Sequence, residues 1–151
     1  MTSAELALYL KLLPNFKAHY EKNPFSTLAR IFGVFTVRSR ATQPVHIILM
    51  ENTLRFKKIE DVRYIFDLKG SLVDRKTKGS TKRTTVLKDI NWLDIMSRRR
   101  SLVTLQMREK LHIKKIVHKD VEFLQSLGLM DYSMLVGIEK MKQSNVAPPQ
   151  Q

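Results

Sequence analysis

From Ser101 to Leu127 the chain offers good helix formers without a break, and Ile113, Ile116, Val117, Phe123, Leu124 and Leu127 recur at steps of three and four. Such a stripe makes one long amphipathic helix whose apolar face must lie on another element. Gly128 ends it, and LMDYSMLVGI follows as a strand. One carboxylate, Asp131, stands at the junction, where nothing about a buried turn requires a charge.

Upstream the pattern is mixed. Ser3 with Glu5 behind it predicts a helix start, with leucines carrying the helix to Pro14. A second helical piece runs from Asn15 toward Pro24, and Ser26 is placed to cap a third, TLARIF, that stops at Gly33. Then VFTVRS and VHIILM, rich in β-branched and aromatic residues, predict a hairpin, and RYIFDL another short strand. DRKTKGSTKRTT is polar and basic enough to be an exposed loop. N-terminal helices, short antiparallel strands, a basic loop and a long helix, without internal repeats, give an α+β fold.

The composition, 43% hydrophobic and 27% charged over 151 residues, suits one globular domain with a core of its own. With no cysteine, disulfides and thiolate metal sites are excluded, which fits a reducing, intracellular setting. His19, His46, His112 and His118 stand isolated, with no ligand spacing. No apolar run approaches the roughly 18–20 residues of a membrane span, and the N-terminus lacks the basic flank of a signal peptide, so a soluble chain is expected. Charge is high and uneven: 27 Lys plus Arg against 14 Asp plus Glu gives +13, and residues 51–120 hold 19 basic against 9 acidic residues. Such a field attracts polyanions, whether nucleic acid, phosphorylated small molecules or an anionic membrane. A nucleic-acid surface would interleave stacking aromatics with its cations, and DRKTKGSTKR has none, so no nucleic-acid partner is expected.

The five glycines form neither GxGxxG nor GxxxxGK(S/T), and no HExxH, EF-hand loop or GxSxG is present. Two stretches remain. FDLKGS sets Lys69, Gly70 and Ser71 at a strand end, with Arg75 six positions after Lys69. Cations beside a glycine turn are suited to a phosphate, or are simply an ordinary turn with solvated charges. In LMDYSMLVGI, Asp131 either caps a turn or presents a firmly held carboxylate that can orient a hydroxyl and take its proton.

In order and spacing, FDLKGSLVDR, VLKDINW and KDVEFLQSLGLMDYSMLVGI resemble the signature segments of the phosphatidylinositol phosphate kinase family, and LLPNFKAHYEKNPFSTLARIFGVFTV and HIILMENTL are similar to the stretch leading to its hinge. The resemblance covers roughly residues 9–140. It implies a partial, protein-kinase-like lipid-kinase catalytic domain over 1–140; the polar residues that follow, ending PPQQ, predict a disordered tail over 141–151. It further implies transfer of the ATP γ-phosphoryl group to an inositol-ring hydroxyl of a phosphoinositide, with Mg2+, by a cytoplasmic protein peripheral to anionic membranes. Carried over by position, Asp131 matches the catalytic base. Lys69, Gly70 and Ser71 line the nucleotide phosphates, with Lys69 also catalytic. Arg75 grips a ring phosphate, Met50, Glu51 and Asn52 form the adenine hinge, and Asp120 is structural.

The departures shape the expectation. Met134 replaces a leucine, and Asn91 and Trp92 stand where an acid and Phe are common. The family's small-lobe glycine loop and nucleotide lysine, and the metal-holding Asp after MDYS, have no match here, so a truncated segment inactive alone is expected, with no metal ligand of its own. The other reading is a non-catalytic fragment that binds anionic lipid through its basic face. The ring position phosphorylated and the oligomeric state are left open.

Overall fold

The computed structural model describes residues 2–41, 43–79, 82–99 and 101–140, so the expected polar tail over 141–151 lies outside the described residues. The chain forms two compact units, one of residues up to Thr53 together with Leu105–Met130, the other of Leu54–Thr104 and the residues from Asp131 on. Both mix helix and strand, the α+β arrangement expected.

The first unit opens with α1, Ser3–Lys22. Thr2, not Ser3, is its N-cap: the Thr2 hydroxyl accepts from Glu5 N at 3.2 Å while Glu5 Oε2 accepts from Thr2 N at 2.6 Å. The break expected at Pro14 does not occur, and the two predicted helices are one. A proline inside a helix costs about 3 kcal/mol; here the residues beyond it offset the loss by packing on α3, Met107–Ser126. Phe16 meets Phe123 edge-on at 5.1 Å, and His19 stacks on the same ring at 4.1 Å.

The third predicted helix, at 27–32, is also absent. Ser26 does not cap it, because its hydroxyl donates to Asp120 Oδ1 at 2.7 Å, and Thr27 gives both N–H and hydroxyl to Asp120 Oδ2 at 2.7 Å. Tyr20 ties the same loop to α1 by donating to Ala29 O at 2.8 Å, and burial pushes its phenol up to about 12. Ile31 instead starts β1, Ile31–Val37, paired antiparallel with β2, Val45–Met50, as the hairpin reading required. The long helix α3 begins at Met107 rather than near Ser101, and ends on Gly128 (φ +67°), with Gly128 N and Leu129 N returning to Gln125 O and Leu124 O.

The second unit is built on β3, Val62–Leu68, flanked in parallel by β4, Val86–Leu87, and antiparallel by β5, Met134–Glu139. Val62, Ile65, Phe66 and Ile138 form its core. Gly137 is needed for close approach: a Cβ there would lie 2.5 Å from the Phe56 ring. A helix not anticipated from the sequence, α2 at Asp89–Arg98, sets Trp92 edge-on to Phe66 at 5.0 Å. Its apolar residues Ile90, Trp92, Leu93, Ile95 and Met96, opened by Asp89 and closed by Arg98, were the available signal.

Candidate active site

Strand β3 ends at Leu68, and the chain turns sharply at Lys69–Gly70, where Gly70 takes φ +72° without the penalty a side chain would carry. The turn is held from α2. The Asp89 carboxylate accepts from Lys69 N at 3.1 Å and Gly70 N at 2.8 Å, and from Arg75 Nε at 2.7 Å. Burial would raise this acid, but the Arg75 guanidinium and the two amides outweigh it and hold Asp89 down at about 2. Arg75 also donates through Nη2 to Asp67 O and lies 3.5 Å from Asp67 Oδ2, and its backbone carbonyl accepts from Ile90 N at 3.0 Å.

Arg75 is therefore buried between two carboxylates and pointed inward. That placement does not fit the ring-phosphate contact expected of it. A guanidinium with its fork already on Asp89 and Asp67 would leave two acids unpaired if it turned to a ligand. Sequence reading had no means to see this, because the two acids lie 8 and 14 residues from Arg75.

Clamped in this way, the turn sends Lys69 outward to Asp131, with Nζ 3.1 Å from Oδ1. Asp131 has φ +59°, a left-handed conformation that Asp tolerates better than most residues, and its side chain is 91% exposed. An ion pair this exposed adds little to stability; what it does is bring a positive group and a solvent-facing carboxylate to one place. Ser71, in the same unit, accepts from Val73 N at 3.3 Å. The expected hinge residues belong to the first unit: Met50 ends β2, Glu51 N donates to Arg30 O at 2.7 Å, and Asn52 follows.

The family model described as phosphatidylinositol-4-phosphate 5-kinase matches residues 1–151. The chain belongs to this family. A probable phosphatidylinositol phosphate kinase of Dictyostelium discoideum is 34% identical over 146 residues, 95% of this chain and 20% of that protein. A phosphatidylinositol 4-phosphate 5-kinase of Plasmodium falciparum is 34% identical over 136 residues, 85% of this chain and 8% of its own length. A phosphatidylinositol 5-phosphate 4-kinase type-2 gamma of Danio rerio is 36% identical over 143 residues, 91% of this chain and 32% of that kinase. The chain thus spans about a third or less of the length of each of these relatives.

Within this segment, the two departures in LKDINW have local reasons. Asn91 Oδ1 accepts from Thr77 N at 2.8 Å while Nδ2 donates to Thr77 O at 3.0 Å, a two-way bond that an ionised acid at this position cannot make. Trp92 fills the space over Phe66. A family kinase implies Mg2+, but among the described residues no three carboxylate or imidazole groups converge to hold a metal. Asp67 Oδ1 is a buried acceptor without a partner, yet Arg75 occupies the space between Asp67 and Asp89, and Asp131 faces Lys69. These residues do not fit a magnesium site, and no step is derived through one. No helix among the described residues is long and apolar enough to cross a membrane.

Proposed function

We propose that this chain is the part of a phosphoinositide kinase that carries the catalytic carboxylate. The observation that supports it is the Lys69–Asp131 pair at 3.1 Å, exposed on one side and clamped from below by Asp89 and Arg75. In this reading the inositol-ring hydroxyl meets Asp131, which orients it and takes its proton as the oxygen bonds to the γ-phosphorus of ATP. The bond from that phosphorus to the β–γ bridging oxygen breaks, and ADP leaves. Lys69 exchanges Asp131 for a phosphoryl oxygen and neutralises charge there, a contribution that grows as the site is closed to water. The amides of Gly70 and Ser71 lie along the phosphates. Arg75 serves by positioning the turn. The domain spans 1–140, and the protein works in the cytoplasm at the surface of anionic membranes, reached through the basic residues of 51–120.

The test is transfer of labelled phosphate from ATP by the full gene product to vesicles carrying phosphatidylinositol 3-, 4- or 5-phosphate in separate arms. Labelled bisphosphate in at least one arm is expected, and the arm that reacts identifies the ring position. Vesicle binding that weakens with salt, with no transfer in any arm, would instead establish a non-catalytic anionic-lipid binder.

A further inference from the structure

The first unit holds a second cluster of cations that the Lys69–Asp131 chemistry leaves unused. Where α1 ends and the chain passes over the middle of α3, a cavity of about 310 Å³ is lined by Lys22, Phe25, Ser26, His112, Lys115 and Lys119. Its volume is at the lower end of the range for small-ligand pockets, about 300–1,000 Å³. Lys22 and Lys115 make no ion pair among the described residues, unlike Lys17, whose partner Glu21 is 3.8 Å away. Among the described residues Lys119 meets only the neutral amide oxygen of Asn23, at 3.3 Å. Glu122, the acid one turn beyond Lys119, is taken by His118 at 3.3 Å.

The one carboxylate on the lining, Asp120, is spent. His19 Nε2 and Ser26 Oγ share Oδ1 at 2.8 and 2.7 Å, and Thr27 occupies Oδ2 with two donors. At the rim Phe25 is 71% exposed, a large aromatic left in water, with the His112 ring edge-on to it at 5.9 Å. Solvated lysines would spread along their helices; these come from two separate elements onto one hollow that also carries a bare ring.

We infer that this cavity binds a phosphate monoester carried on a flat ring, the phosphate held by Lys22, Lys115 and Lys119 and the ring lying on Phe25 beside His112. Three ammonium groups supply charge-assisted bonds to a dianionic phosphate, and ring contact adds the apolar part that inorganic phosphate lacks.

The probe is phenyl phosphate, titrated into the isotope-labelled 151-residue chain with amide shifts as the readout, and with inorganic phosphate and phenol as separate arms. Shifts are expected at 22–26 and 112–119, with phenyl phosphate binding about tenfold more tightly than phosphate alone. Lys115→Glu is expected to weaken binding at least about tenfold, whereas Lys114→Glu, which changes the same charge on α3 outside the lining, leaves it unchanged. Equal losses in the two variants, or shifts spread over lysines throughout the chain, would overturn the inference by reducing it to non-specific charge attraction.

Discussion

The chain contains the dipeptide Lys-Asp twice in comparable roles, at 88–89 and at 119–120, and the two acids teach different lessons. Both are buried, with 7% of Asp89 and 3% of Asp120 exposed, and each gathers a distant loop onto a helix. Asp89 holds the 67–75 turn against α2 through a permanent cation, Arg75, and two backbone amides. Asp120 holds the 26–27 loop and α1 against α3 through a histidine, two hydroxyls and one amide. In both, burial raises the acid and the hydrogen bonds outweigh it, so both are lowered. The difference is the counter-charge. Loss of Arg75 leaves two buried carboxylates without their permanent cation, whereas loss of the Asp120 carboxylate leaves a histidine, two hydroxyls and one amide without their acceptor.

The largest effect should therefore come from Arg75→Met, which strands Asp67 and Asp89 together. A loss of about 3–5 kcal/mol is expected in urea unfolding. If Arg75 were chiefly a ligand-gripping residue, the same change would leave stability near wild type. Next comes Asp120→Asn, which keeps the shape but turns an amide N–H toward some of the present donors; about 1–3 kcal/mol is expected from the unsatisfied groups. An equal loss in the two variants would erase the distinction between the clusters.

Acid titration sharpens the comparison further. Asp89 is held at about 2 in the folded chain, below the roughly 3.9 of an unfolded aspartate. Its contribution is complete above about pH 4 and is lost as pH falls toward about 2. Asp89→Asn should flatten that part of the stability curve, and an acid limb of unchanged slope in this variant would contradict the assignment. A smaller effect is expected at the site itself: Lys69→Met breaks the exposed pair to Asp131 and should cost less than about 1 kcal/mol.

Much of this was legible in the residues. The α+β class, the hairpin, the central strand RYIFDL and the long helix ending at Gly128 follow from periodicity and from glycine at a left-handed position. The two motifs that supply the Lys69–Asp131 contact, FDLKGS and LMDYSMLVGI, stood out in the sequence, although the residues lie 62 positions apart. What was not legible depended on partners far along the chain. Pro14 looked like a helix end, since the packing of Phe16 and His19 on Phe123 lies beyond any local window. Ser26 looked like a cap until Asp120, 94 residues on, took its hydroxyl. His19 stood alone in sequence, yet it meets Asp120 across 101 residues. Arg75 advertised its charge and gave no sign that two acids would bury it.

The central claim is that Asp131 acts in chemistry and not in folding, and Asp131→Asn in the full gene product addresses it directly. The side chain is 91% exposed, so the unfolding curve should move by less than about 0.5 kcal/mol. Turnover on phosphoinositide vesicles should fall at least about 100-fold with the proposed base removed. Turnover equal to wild type at unchanged stability would contradict the account.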